Sequence, residues 1–242
     1  MVVFGVNSLK SVGIVGGLGP QTTAKFYVDL VRGVKKKNFY SPKITIDNVA
    51  FPSGLEDEII QKSKNEGLLL PCLQDSVERL NKSGVNLIAI PCNTAHLFID
   101  ELRAVSKARI LSIIEETIKE IKKRHISKIG ILATSKTLQS RLYQKELEKI
   151  GIQCIVPEKK SQEIVSKCIL EILDEKNDKT TTEKLQLISG KLVKKGAESL
   201  LLACTDLRLA VEKKELPAPV IDSYEVLLNS AIKTIGGVKN GK

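Results

Sequence analysis

Two cysteines stand where a fold could present a thiol to a ligand. One lies in Leu87-Ile88-Ala89-Ile90-Pro91-Cys92-Asn93-Thr94-Ala95-His96, the other in Ser199-Leu200-Leu201-Leu202-Ala203-Cys204-Thr205-Asp206-Leu207. Each is an apolar run of strand type that ends in a cysteine, small polar groups and the start of a helical pattern. Such a run delivers its thiol to the carboxyl edge of a sheet, where open α/β folds bind ligands. It also places the thiol at a helix N-terminus, whose free N–H groups can depress a pKa that is ordinarily ~8.5. At 112 positions apart the two lack the close spacing of a redox pair. Facing each other across a small molecule, they suit stereoinversion: one removes a proton from a carbon while the other supplies one to the opposite face. The return direction exchanges the roles, so both walls need the same residue type.

Presenting two thiols alike requires two similar units, and the chain reads as two. In the first, a strand over 12–15 runs into the glycine turn Gly16-Gly17-Leu18-Gly19-Pro20 and a helix through Phe26, Tyr27, Leu30 and Val31. A strand over 43–49, the turn Phe51-Pro52-Ser53-Gly54 and a helix from Leu55 follow. Asn65-Glu66-Gly67 breaks the pattern before a helix over 69–80, and then come the Cys92 strand, a strand over 110–113 and a helix over 115–123. From Lys128 the plan repeats: Lys128-Ile129-Gly130-Ile131-Leu132-Ala133-Thr134 leads to a helix over 139–149 that stops at Gly151, a usual C-terminal signal. A strand over 153–156, helices over 162–173 and 183–195, the Cys204 strand, Val220-Ile221-Asp222 and a helix over 225–235 complete it. Gly13 and Cys92 lie 79 positions apart, Gly130 and Cys204 74. Residues 1–9 read as an extension and 239–242 as a polar tail.

Alternating strands and helices predict parallel sheets with right-handed crossovers. The expected class is therefore α/β, with two similar Rossmann-like domains related by a pseudo-two-fold axis. Residues 1–113 with 222–242 would form the N-terminal domain carrying Cys92, and 114–221 the C-terminal domain carrying Cys204. The site falls in the cleft between them, a favoured place for ligands. The glycine turn is not G-x-G-x-x-G, because Pro20 stands where the last glycine would be, and no ribose-binding acid follows the next strand at the usual distance.

The net charge of +10 raises the question of nucleic acid. Lysines are instead spread along helical patterns and mixed with acids, without interleaved aromatics, so they read as solvated faces that leave a mild pull on anions. Five cysteines, an odd number with no C-x-x-C, argue against a disulfide framework or a zinc site and for a reducing compartment. With neither a signal-peptide pattern nor a membrane-spanning run, the expectation is a cytoplasmic protein with no membrane or nucleic-acid partner. Cys72, Cys154 and Cys168 read as small packed hydrophobes.

The residues resemble the aspartate/glutamate racemase superfamily, most closely its aspartate racemase branch. The resemblance rests on Gly13-Ile14-Val15-Gly16-Gly17-Leu18-Gly19-Pro20 with Thr22-Thr23-Ala24, on Pro91-Cys92-Asn93-Thr94-Ala95-His96, and on Ala203-Cys204-Thr205-Asp206-Leu207. Ile114-Glu115-Glu116-Thr117 and Gly130-Ile131-Leu132-Ala133-Thr134 extend it along almost the whole chain. It implies an amino-acid racemase that needs no cofactor and no metal, acts on a small amino acid through Cys92 and Cys204, and commonly forms a homodimer. Gly17, Gly19, Thr22, Thr23, Asn93, Thr94, Thr134 and Thr205 become candidates for holding substrate, with helix capping as the competing role of the hydroxyl and amide groups. His96, Asp206 and Glu163 are candidates for support.

Departures bear on the substrate. Ala203 and Asp206 replace the family's usual Gly and Glu around the second cysteine. Aspartate-specific members carry an arginine shortly after the proline of the second-strand turn and a lysine near position 163. This chain has Ser53-Gly54-Leu55-Glu56 and Glu163. A neutral or different amino acid, or a hydantoin, stays open, as does a maleate-isomerase-like reaction on the same scaffold. A ligand- or nucleic-acid-binding protein with inert cysteines is the alternative outside enzymes.

Overall fold

A computed structural model describes residues 10–38, 41–52 and 54–236. The extension over 1–9 and the polar tail over 239–242 lie outside the described residues. Four parallel strands, β1 (Ser11–Gly16), β2 (Lys43–Asn48), β3 (Leu87–Ala89) and β4 (Arg109–Leu111), form one sheet in the order β2-β1-β3-β4. Four more, β5 (Lys128–Leu132), β6 (Gln153–Ile155), β7 (Ser199–Leu202) and β8 (Val220–Asp222), form a second in the corresponding order β6-β5-β7-β8. Their connections are α1 (Pro20–Asn38), α2 (Leu55–Asp57), α3 (Leu69–Lys82), α4 (Ile99–Val105) and α5 (Ile113–Lys122) in the first half. In the second they are α6 (Ser135–Gln139), α7 (Gln144–Glu148), α8 (Lys159–Leu173), α9 (Lys179–Lys194) and the closing α10 (Ser223–Ile235). Among the described residues no helix is long and apolar enough to cross a membrane.

Strand alternation explains the layers, because successive side chains point to opposite faces. Leu87 and Ala89 of β3, Ile129 and Ile131 of β5 and Leu201 of β7 enter one central core with residues of α1, α5 and α10. The opposite faces pack outward: Ile88 and Ile90 against α3 and α4, Leu200 and Leu202 against α8 and α9. The expected domain border 113/114 falls in the first turn of α5 and the border 221/222 at the end of β8, just before α10; the apolar faces of both helices share that central core.

Caps fix where the helices near the site begin. Ser112 accepts from the Glu115 N–H, Thr134 from the Thr137 N–H and Asp222 from the Tyr224 N–H, each satisfying a donor that a first turn leaves free. Two segments differ from the sequence expectation. The periodic stretch 139–149 is not one helix: α6 ends at Gln139, Arg141 takes φ 57°, and the chain restarts as α7. The break lets Tyr143 turn fully inward, where its hydroxyl donates to Asn93 Oδ1 at 2.6 Å. After Asp57, α2 continues as a π-helix over Glu58–Lys62 and ends at Ser63 with φ 53°.

Candidate active site

Pairing register places the two cysteines in corresponding positions. Gly13 of β1 lies opposite Ile88 of β3, and Gly130 of β5 opposite Leu200 of β7. Cys92 and Cys204 each stand four residues beyond those partners, past the carboxyl ends of the central strands of their sheets. Both line one cavity, which opens to solvent on one side. Its walls come from both halves and include Gly19, Asn93, Thr94, Thr134, Thr205 and Asp206.

Hydrogen bonds tie the two cysteine turns together. The Thr205 hydroxyl donates to the Pro91 carbonyl at 2.9 Å, just before Cys92. Thr94, Thr134 and Thr137 form a triangle of hydroxyls, with Oγ1 separations of 3.2, 3.2 and 3.0 Å. Thr94 and Thr134 bring that triangle to the cavity wall. Asn93 also lines the cavity, and its amide is held at both atoms: Nδ2 donates to Ser223 Oγ at 3.0 Å, and Oδ1 accepts from Tyr143.

The glycine turn lines the cavity at Gly19 and positions its neighbours. Thr23 Oγ1 accepts from the Gly17 N–H at 3.1 Å and donates to the Gly19 carbonyl at 3.0 Å. Gly17 and Gly19 have φ of 90° and 75°, a region costly for other residues. A Cβ on Gly19 would collide with Asp206 Oδ1. That carboxylate accepts from Thr22 Oγ1 at 2.5 Å, and its other oxygen lies 3.7 Å from Cys204 Sγ. Thr22 thus reaches the site through Asp206.

His96 lies behind Cys92. Its Nε2 accepts from the Ile113 N–H at 3.0 Å, so the proton is assigned to Nδ1, which donates to the Cys92 carbonyl at 2.8 Å. Burial lowers its pKa to about 4 and keeps the ring neutral. Glu163 is exposed on α8 and does not line the cavity; its neighbour Gln162 turns inward and donates to the Ala133 carbonyl at 2.9 Å. Cys72, Cys154 and Cys168 pack in or against the cores, away from the cavity.

The expected depression of the thiol pKa values is corrected by the structure. Burial pushes Cys92 up to about 12, although the Ala95 and Thr94 N–H groups pull the other way. Cys204 is raised well above its ordinary value by burial and by the Asp206 carboxylate. Desolvation in the cleft outweighs the helix N-termini, because a bare thiolate loses more hydration than a few N–H groups return. Burial also raises Asp206 to about 6. Glu56, a wall residue to which the sequence reading gave no role, is pushed up to about 7 by burial and by facing carboxylates. Its place after the strand that flanks β1 was a usable signal, since that sheet edge faces the ligand. Among the described residues no group of three His, Cys, Asp or Glu is arranged to hold a metal ion.

Residues 15–231 match the family described as Asp/Glu/Hydantoin racemase. The chain is 30% identical to the broad specificity amino-acid racemase RacX of Bacillus subtilis (strain 168), over 92% of this chain and 97% of that protein. Among solved structures, the aspartate racemase of Picrophilus torridus superposes with a TM-score of 0.77 at 26% identity, covering 94% of both chains. An aspartate racemase homologue from Pyrococcus horikoshii OT3 gives 0.75 at 28% identity, covering 94% of this chain and 99% of that one.

Proposed function

The chain belongs to the Asp/Glu/Hydantoin racemase family, and on that footing we propose that it is a cofactor-independent amino-acid racemase in which Cys92 and Cys204 act on opposite faces of Cα. The observation that carries this reading is the twin placement of the two cysteines on one cavity. One sulfur, as thiolate, takes the proton from Cα; the other, as thiol, delivers its own to the opposite face. The product leaves with the two protonation states exchanged, and no net proton is consumed.

The raised thiol pKa values fit a resting site in which both sulfurs hold protons, so that forming the working thiolate releases one proton to solvent through the open side of the cavity as substrate binds. An α-ammonium group brought into that dry cavity offsets part of the penalty on a thiolate and on the carbanionic transition state. The hydroxyls of Thr94 and Thr134 are placed to take the α-carboxylate, and Asp206, held by Thr22, to face the ammonium. A hydantoin carries neither charge and would leave Asp206 without a counter-ion, so the geometry favours an amino acid. The name of the Bacillus relative, broad specificity, supports an amino-acid substrate class wider than a single acid.

Deuterium uptake at Cα in heavy water, followed by NMR for both enantiomers of a panel of amino acids, tests the reading. Wild-type protein is expected to exchange and invert at least one of them. Cys92→Ala and Cys204→Ala should each lower inversion by about 10²–10⁴-fold, the usual worth of a general acid or base. Exchange that survives both changes, or none with any amino acid, overturns it. The homodimer that the resemblance implies is a separate expectation, checked by sedimentation.

A further inference from the structure

Ser223 opens α10 and does not line the cavity, yet it lies between the two cysteine turns. Its hydroxyl is fully buried. It donates to the Leu202 carbonyl at 2.8 Å, two residues before Cys204, and accepts from Asn93 Nδ2 at 3.0 Å, one residue after Cys92. The acceptor at the end of this chain of bonds fixes every direction in it. A carbonyl can only accept, so the single hydroxyl proton of Ser223 goes to Leu202, and Ser223 must accept from the amide nitrogen of Asn93. That orientation turns Asn93 Oδ1 to Tyr143, whose hydroxyl donates to it at 2.6 Å. A second tie runs the other way, from the Thr205 hydroxyl to the Pro91 carbonyl. Pro91 and Asn93 thus bracket Cys92, and Leu202 and Thr205 bracket Cys204, in a closed ring of buried bonds.

We propose that Ser223 is a positioning residue for the reaction: by closing this ring it sets the gap between the Cys92 and Cys204 sulfurs. The proposal rests on the racemase reading for what crosses that gap. Removing a proton from one face of a carbon and delivering one to the other tolerates little error in either sulfur, since about 1 Å of misplacement can cost ~10²-fold. Binding is less exposed to the change, because Thr94, Thr134 and Asp206, assigned to the carboxylate and ammonium of the substrate, lie outside the ring.

Ser223→Ala opens the ring and should lower kcat for inversion more than tenfold while KM stays within about twofold. It should also raise the share of deuterium uptake at Cα that occurs without inversion: a sulfur whose partner is out of place exchanges its hydrogen with solvent and returns it to the face it came from. Ser189→Ala is the control. It removes an equally buried hydroxyl, bonded to the Leu185 carbonyl within α9 and away from the cavity, and should leave kcat unchanged. Melting curves check folding, and should the alanine variant not fold, Ser223→Cys, with nearly the same shape and only a weak S–H donor, is read in the same way. A crystal structure of the variant gives a readout independent of turnover. Its sulfur separation should differ from wild type by about 0.5 Å or more, the tolerance of a productive constellation. An unchanged kcat, an equal loss in Ser189→Ala, a loss carried by KM, or an unchanged sulfur separation overturns the proposal. If wild-type protein inverts no amino acid, the racemase reading falls and the sulfur separation alone decides the role of Ser223.

Discussion

Glu56 and His96 show burial acting on two titratable groups in opposite senses. Glu56 rises from 4.5 to about 7 on folding. The stability it contributes is therefore full below pH 4.5 and is lost as pH climbs through 7, because the unfolded chain gives up that proton first. His96 falls from 6.5 to about 4, so its contribution is present above 6.5 and is lost as pH drops through 4. Asp206 and Asp222, each raised to about 6, act in the same direction as Glu56. Comparing wild type with Glu56→Gln isolates one group. The melting temperature of the ligand-free variant should exceed that of wild type by more at pH 8 than at pH 5. An equal gap at both values would mean that the carboxylate is not desolvated as the structure has it. For His96→Ala the expected cost is about 2–4 kcal/mol in chemical denaturation, since it strips the Cys92 carbonyl and the Ile113 N–H of buried partners.

At the scale of elements, the glycine turn before α1 is where the first half approaches the second. Gly19→Ala adds a methyl that collides with Asp206 Oδ1 and crowds Leu173 on α8. It should lower racemisation more than tenfold by displacing the carboxylate beside Cys204, the scale of a ~1 Å misplacement at a reacting group. Gly151→Ala serves as the control: its φ of 77° is equally unfavourable, but no described atom lies within 4 Å of the added methyl. That variant should lose about 1–2 kcal/mol of stability and keep its turnover. Comparable activity losses in the two variants would remove the steric argument. Much of this positioning was legible in the sequence, because short apolar runs bounded by glycine and small polar residues say strand and turn with little ambiguity. The spacing of Gly13 and Gly130 to their cysteines carried the twin arrangement before any register was known. Stretch 139–149 reads as one helix because Leu138 and Leu142, and Tyr143 and Leu147, stand four residues apart, while the inward turn of Tyr143, which depends on distant Asn93, breaks it. Glu56 went unassigned for a related reason: a charged residue in a turn reads as solvated, and only tertiary packing desolvates it.

For the whole molecule the question is how an amino acid enters a cavity roofed by its own chain. Glu56, Ile59, Ile60 and Leu69 form part of its wall, and Ile60 crosses to the core beneath α8 and α9. Further along, Glu66 pairs with Lys136 of α6, and both side chains are partly buried. The stretch from Leu55 to Leu69 thus belongs to the first half by sequence and to the second by attachment. Lifting this strap or parting the halves widens the mouth of the cavity, and either motion breaks the Glu66–Lys136 pair. Lys136→Ala should free the strap, speeding tryptic cleavage at Lys62 and Lys64 and raising KM about three- to tenfold with a smaller change in kcat, in line with ~1 kcal/mol for one partly exposed ion pair. Exchanging the charges, Glu66→Lys with Lys136→Glu, should recover most of the KM, because the pair is then restored in reverse. If cleavage rate and KM both stay at wild-type values in Lys136→Ala, the pair is ornamental and the entry route lies elsewhere along the cleft.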